Sequence, residues 1–433
     1  MGSLHLWQNG ELVGEWEHVS NGADRFRYAA SWLASPASRR LSASFPWPAT
    51  ADDWIKGPLV GDWFENLLPD SAQIREQIAR RFGVGQTPFE LLKEIGRDCV
   101  GAVQLLAPGQ TPDNVRTIQC RALTEEQIAD ELRRTAHPAQ YLADEGTPFR
   151  ISLAGAQEKT AFLFHEGKWC RPIGSTPTTH IFKLPLQQVG DVPMPHSLEN
   201  EWLCAQLLNA LGIPTAKSEV LDFGDWSCLA VERFDRKLAP NGEWWMRLPQ
   251  EDFCQAMAVP PRQKYESDGG PGITSCVQLL RAGSSQPQDA WTFFRTQVLL
   301  WVLQAPDGHG KNFSIQHLAG GDFRLTPLYD VHSAYPISGH GRNKLPVRQL
   351  KMAMAVSSKN RHYRWQEVGA RHWLAHASAV GLGQQMEAQL ASISKEVEGA
   401  VSKTGQKLPK GFPGKLFDSI CNGAMDAANN LCS

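Results

Sequence analysis

Residues 305–315 read APDGHGKNFSI and follow the apolar run VLLWVLQ. Asp307, His309, Lys311 and Asn312 are crowded into this one stretch. An acid, an imidazole, a cation and a carboxamide placed just after a buried element describe a working loop on a rigid scaffold. Lys183 and Glu201 precede the loop and Asp330 follows it. Together they have the chemistry that phosphoryl transfer needs, which is neutralised phosphate charge and an aligned acceptor.

Each residue type has a job in that chemistry. Lys183, near the end of the predicted strand THIFKLP, supplies charge to the α- and β-phosphates, and an acid must hold it. Glu201, on the helix that follows, is that acid, with Glu199 as an alternative. Asp307 accepts or orients the proton of an acceptor hydroxyl. Asn312 and Asp330 offer the hard oxygen donors that Mg²⁺ prefers. The Asp-x4-Asn spacing lets one short loop serve both the acceptor and the metal. In this order the residues are those of a protein-kinase-like phosphotransferase. No G-x-G-x-x-G precedes Lys183; the candidate phosphate loop is SLAGAQEK, with Gly155, Gln157, Glu158 and Lys159. His309 either braces its loop or meets nucleotide through its backbone. Lys311 is either a solvated cation or a charge beside the transferring phosphate.

The elements that must position these residues can be read from pattern. Asn9-Gly10 predicts a hairpin at the start of the chain. Asp70 or Ser71 caps a helix that Gly83 ends, and further helices follow at TPFELLKEI and LTEEQIADELRRT. FRISLAGAQEKTAFLFHEGKWC predicts two strands about a turn, and SEVLDFGDWSCLAVERFD two more. Between them, residues 186–197 are a polar loop, and LENEWLCAQLLNALGI is an amphipathic helix burying Trp202, Ala205, Leu208 and Leu211. From about residue 236 helical periodicity dominates, broken by a hairpin after the 305–315 loop whose second strand ends at Asp330. KYESDGGPGI is a structural loop to which no chemistry is assigned. With 433 residues the chain has room for more than one domain. A net charge of −2 gives no global basic field for nucleic acid. The nine cysteines lack a CxxC pair or ligand spacing, which predicts reduced thiols and no zinc site. No signal peptide or apolar run of membrane-spanning length is present, so a cytoplasmic protein with no membrane contact is expected.

With these residues in view, the chain resembles the HipA family of bacterial serine/threonine kinase toxins of HipBA toxin–antitoxin modules. The resemblance rests on NLLPDS, EIGRDCVGAVQL, ISLAGAQEKTA, TTHIFKLP, LAVERFDR, RLPQED, KYESDGGPGI, DGHGKNFSI and RLTPLYDV, spread over nearly the full length. It implies an α+β, two-lobed protein-kinase-like fold with an N-terminal α+β module at residues 1–146. A small lobe at 147–235 and a mainly helical large lobe at 236–433 would follow. It implies Asp307 as the catalytic aspartate. It implies ATP binding by Ala154, Gly155, Ala156, Gln157, Glu158 and Lys159, by Lys183, and by the hinge Glu232, Arg233 and Phe234. His309, Gly310, Lys311, Asn312, Tyr329 and Asp330 would also meet nucleotide, with Asn312 and Asp330 on Mg²⁺. It implies an autophosphorylated Ser152 and glutamyl-tRNA synthetase as substrate, with growth arrest and persistence as the outcome. It further implies a HipB-type helix-turn-helix antitoxin dimer, through which operator DNA is met in transcriptional autoregulation. Two other readings stay open on the residues: a kinase of a small molecule or lipid headgroup, and a pseudokinase corepressor.

Overall fold

The computed structural model describes residues 2–19, 23–137, 152–155 and 157–432. Ala156 and the expected strand residues 149–151 lie outside them. The chain divides into two compact units, each discontinuous in sequence. Unit 1 is Met1–Leu184, Leu221–Gln263 and Ser314–Phe323; unit 2 is Pro185–Val220, Lys264–Phe313 and Arg324–Ser433. These units cut across the segments 1–146, 147–235 and 236–433.

Unit 1 opens with β1 (Gly2–Gln8) and β2 (Glu11–His18), joined at Asn9 and Gly10, both at positive φ as a two-residue hairpin turn requires. With β3 (Arg25–Tyr28), β4 (Ile55–Lys56) and β5 (Gln104–Leu106) they form a sheet of order β4-β3-β2-β1-β5. Alternate residues Leu4, Leu6, Val13, Trp16 and Phe26 turn into one core. The short α1 (Ala30–Leu33) is followed by α2 (Pro58–Glu65), α3 (Ala72–Phe82) and α4 (Pro88–Ile95), which contribute Trp63, Phe64, Leu91 and Leu92 to that core. Of the two cap candidates it is Ser71 whose hydroxyl accepts from the Ile74 amide, and Gly83 ends α3 at φ 65°. Thr87 and Glu90 form a capping box on α4.

A second sheet carries the phosphate-loop strand. Its members are β6 (Cys120–Ala122), β7 (Lys159–His165), β8 (Lys168–Pro172), β9 (His180–Lys183), β12 (Ser218–Phe223) and β13 (Trp226–Glu232), in the order β12-β13-β9-β7-β8-β6. The helix α5 (Glu125–Ala136) covers one face, and its Ile128 and Leu132 pack with Phe162, Phe182 and Phe223. The expected helical region after 236 begins instead with strands: β14 (Arg236–Leu238), β15 (Trp245–Arg247) and β16 (Gln250–Asp252), then the short α7 (Phe253–Ala256). β16 pairs with β17 (Ser314–His317). The cause of that departure is a buried ionic network. Asp98 accepts from Arg236 at 2.9 Å, Arg247 at 3.2 Å and Arg233 at 3.4 Å, and from the Thr178 hydroxyl at 2.7 Å. Asp235 takes two donors of Arg233 at 3.0 and 2.8 Å and the Gly101 amide at 2.7 Å. These side chains can be buried only where such partners meet them.

Unit 2 is mainly helical. Residues 186–197, expected as a loop, contain the small hairpin β10 (Gln188–Val189) and β11 (Val192–Pro193), turned at Gly190. The helix α6 (Ser197–Ala210) buries Trp202 and Leu208 as expected, but also Leu203, Cys204 and Leu207. It is therefore a central helix rather than an amphipathic surface one. It packs against α11 (Gly383–Gly405), and the unit's other helices are α8 (Ile273–Gly283), α9 (Asp289–Val302), α10 (Ala370–Ala379) and α12 (Gly414–Cys432). A hairpin of β19 (Lys351–Ser357) and β20 (Arg361–Arg364) interrupts them. The strand expected to end at Asp330 is β18 (Phe323–Leu325), so Asp330 stands in the loop beyond it. All nine cysteines are free thiols. Among the described residues no helix is long and apolar enough to cross a membrane.

The Asp98 network sets the stability of unit 1. Burial alone would raise the pKa of Asp98, but Arg236, Arg233 and Arg247 hold it well below the usual carboxylate range. Its contribution is complete above the unfolded-state pKa of about 3.9 and is lost as pH falls through the lower folded value. Asp98→Ala is expected to cost about 3–5 kcal/mol, because three guanidinium groups lose their shared partner. Urea unfolding at neutral pH measures it, and a loss under 1 kcal/mol on the same scale would show the arginines to be satisfied without Asp98.

Candidate active site

The residues expected to bind phosphate lie in unit 1. Ser152 is fully buried; its hydroxyl donates to the Leu67 carbonyl at 2.7 Å and its amide to the Asp98 carbonyl at 3.2 Å. Gly155 has φ +105°, a conformation that favours glycine, and its carbonyl accepts from the Asp70 amide at 3.0 Å. The loop is thus seated on the turn at Pro69 and Asp70. Lys159 turns back on it, donating to the Ala154 carbonyl at 2.6 Å. Gln157 donates to the Leu184 carbonyl at 2.5 Å. Burial raises the pKa of Glu158.

Lys159 and Lys183 face each other directly across β7 and β9. Like charges in that register repel. Lys183 itself is buried.

The hinge expectation needs correction at one side chain. Glu232 is exposed at the end of β13, opposite His180. Arg233 is buried, and its guanidinium reaches Asp98, Asp235, Thr178 and the Cys99 carbonyl. That side chain is structural, and the Arg233 amide donates to the Thr179 carbonyl at 2.8 Å. Phe234 is half-buried.

The carboxylates and the catalytic-loop residues lie in unit 2. α9 is buried nearly all round, and its chain reverses at Gln304, at φ 49°. Gly308 then passes so close that a Cβ there would stand 2.5 Å from Leu300 Cδ1. This tight passage delivers Asp307 to the surface, where its side chain is 54% exposed. The loop is tied through its backbone. The Gly310 amide donates to the Lys264 carbonyl at 3.1 Å, and the Tyr329 hydroxyl to the Lys311 carbonyl at 2.8 Å. Asn312 Nδ2 donates to the Asp307 carbonyl at 2.6 Å and reaches the Asp330 carbonyl at 3.5 Å. His309 is buried, with Nε2 3.8 Å from Asp307 Oδ1. Lys311 is buried as well. Asp307, Gly308, Asn312, Asp330 and His332 line one small cleft.

Two groups of contacts were not visible in the sequence. The Tyr265 hydroxyl donates to Asp307 Oδ1 at 2.6 Å, and its ring meets His309 edge-on with centroids 5.0 Å apart. KYESDGGPGI, expected to be structural only, therefore touches the candidate catalytic carboxylate. Asn200 exchanges two hydrogen bonds of 2.8 Å with the backbone of Ser333, whose hydroxyl donates to the Leu303 carbonyl at 2.6 Å. That clamp binds α6, the end of α9 and the Asp330 loop together. It sets Glu201 beside His332, 3.5 Å from its Nε2. Glu199 instead lies near His196, at 3.8 Å. Only the proximity of Asn200 to Glu201 could have hinted at the clamp. The hard oxygens of Asn312 and Asp330 in one cleft fit Mg²⁺.

Comparison with known proteins gives the chain a family. A family profile described as HipA-like C-terminal domain matches residues 151–404, and one described as HipA N-terminal domain matches residues 4–106. The chain is 32% identical over 410 residues to "Putative kinase Y4mE" of Sinorhizobium fredii, covering 94% of this chain and 91% of that one. It is 28% identical over 344 residues to the serine/threonine-protein kinase toxin HipA of Shewanella oneidensis, covering 74% and 73%. Its fold matches a chain in the solved complex of Shewanella oneidensis HipA, HipB and operator DNA. The TM-score is 0.78 at 21% identity, over 98% of this chain and 96% of that one. The two profiles together cover the N-terminal sheet and the 305–315 loop, and the chain belongs to the HipA family of serine/threonine-protein kinase toxins.

Proposed function

We propose that this chain transfers the γ-phosphoryl group of ATP to a protein hydroxyl and acts as the toxin of a HipBA-type toxin–antitoxin pair. One observation carries the reading: Asp307, Asn312 and Asp330 converge on one cleft, with the Tyr265 hydroxyl on the Asp307 carboxylate. Half-exposed Asp307 is placed to take the acceptor's proton. Asn312 and Asp330 would hold Mg²⁺, which when bound neutralises phosphate charge. Lys183 and Lys159, with the loop about Gly155, hold the nucleotide's phosphates, and the backbone at Glu232, Arg233 and Phe234 meets its base. Tyr265 orients the Asp307 carboxylate.

Ser152 is the proposed autophosphorylation site. Its hydroxyl is buried on Leu67, so a phosphate there cannot coexist with the present seat of the phosphate loop. Modification would release that loop and silence the enzyme. The proposed external acceptor is glutamyl-tRNA synthetase, whose loss of charging would stop growth. A HipB-type dimer is the proposed antitoxin, and operator DNA is met through it.

Intact mass before and after Mg-ATP tests the core of this reading. The wild type should gain one phosphate, mapped to Ser152, and Asp307→Asn none while still binding ATP. Transfer by purified Asp307→Asn would remove Asp307 from the chemistry. With the synthetase as acceptor, labelled phosphate and lost charging are expected; label on another protein alone would reassign the substrate.

Tyr265→Phe should lower kcat about tenfold, as loss of one hydrogen bond to a charged group implies, with the KM for ATP unchanged. Steady-state kinetics checks it, and an equal loss confined to KM would make Tyr265 a binding residue instead.

A further inference from the structure

The cluster beside the Asp330 loop has a composition that magnesium chemistry does not explain. Glu201, Asp330 and His332 each offer one donor atom, and these atoms all lie within 4.8 Å of one another. His332 Nε2 stands 3.5 Å from Glu201 Oε2, and its Nδ1 4.0 Å from Asp330 Oδ1. Two ligands on one ion, with bonds of about 2.1 Å, sit roughly 3.0–3.5 Å apart. One ring nitrogen serves one ion, so closing the cluster on a cation brings both carboxylates to the same nitrogen of His332, from donor separations of at most 4.8 Å.

Its framework is built independently of any ion. The Asn200–Ser333 clamp fixes the neighbours of Glu201 and His332 in two hydrogen bonds of 2.8 Å. Asp330 holds a φ of 61°, uncommon for a residue with a side chain and characteristic of functional loops. Glu201 is buried, and its side chain is only 6% exposed. A buried carboxylate facing an imidazole and a second carboxylate makes a mixed nitrogen–oxygen donor set. Mg²⁺ takes oxygen and keeps its waters, whereas first-row transition cations accept imidazole readily.

We infer that Glu201, Asp330 and His332 form a nitrogen-containing site for a divalent transition-metal ion, which the chain binds without nucleotide. The inference shares Asp330 with the kinase reading, and Glu201 with the expected partner of Lys183; His332 belongs to the metal site alone. Occupancy would give the Asp330 loop a fixed position before ATP arrives, and would direct Glu201 towards the metal.

The test uses the untagged full-length chain, freed of metal by a chelator and titrated with Mn²⁺ in the absence of nucleotide. Free Mn²⁺ is read by electron paramagnetic resonance, and a nitrogen ligand on bound Mn²⁺ by electron spin echo modulation. Wild type should bind Mn²⁺ and show ¹⁴N coupling. His332→Leu should lose that coupling and bind at least tenfold more weakly, and Glu201→Gln should bind more weakly with the coupling retained. His332→Gln, which keeps a polar side chain, repeats the measurement should the leucine variant fail to fold by circular dichroism. Absence of Mn²⁺ binding, or nitrogen coupling that persists in a folded His332 variant, overturns the site. Phosphotransfer with Mg-ATP is measured on the same wild-type preparation. Transfer without Mn²⁺ binding sinks this inference and leaves the kinase reading standing. Mn²⁺ binding through His332 without transfer does the reverse.

Discussion

A single buried carboxylate organises unit 1. Asp98 gathers Arg233, Arg236 and Arg247, and each guanidinium then reaches backbone carbonyls nearby. Arg233 and Arg236 both donate to the Cys99 carbonyl, Arg236 to Gly101 and Arg247 to Ser175. Three cations shared between Asp98 and Asp235 leave a net positive charge in a dry interior. The terminal guanidinium nitrogens of all three find acceptors, while Nε of Arg236 and of Arg247 do not, and those shared acceptors hold the segments that carry them in register. The same lock holds the backbone under Ser152, whose amide donates to the Asp98 carbonyl. The phosphate loop thus takes its position from a network with no part in chemistry.

A second buried knot has the same logic. Glu251 is fully buried and accepts from the Trp63 indole at 2.9 Å and the Ala43 amide at 2.7 Å. His317 Nε2 stands 2.8 Å from Oε1, the oxygen that Ala43 also meets. Glu251 belongs to β16 and His317 to β17, so one acid ties the aromatic core of the first sheet to that strand pair. Two acids therefore do what a larger apolar core would otherwise have to do, and they do it with direction.

These networks explain which parts of the sequence could be read. Runs such as GRDCVGAV, ERFDR and RLPQED stand out by their charge, yet Arg233 shows that such density can mark an ionic core rather than a ligand site. Periodicity and caps exposed α3, α4, α5 and the first hairpin, because those signals are local. The strands from 236 to 252 were missed because their cause lies at Asp98, far away in sequence. Tyr265 and Asp307 are 42 positions apart, and Asn200 and Ser333 are 133 apart. No spacing rule reaches across such loops, so the candidate acid was legible while its orienting phenol and its clamp were not.

Asn312 shows why this loop calls for a carboxamide where an acid would seem the stronger metal ligand. Its amide nitrogen faces two main-chain carbonyls, those of Asp307 and Asp330. A carboxylate there would set its charge against both oxygens and free the two segments from each other. The carboxamide donates on that side and turns its oxygen the other way. One side chain can then hold the base loop to the Asp330 loop and still offer a hard donor. The geometry of the cleft and its capacity for a cation follow from the same hydrogen bond.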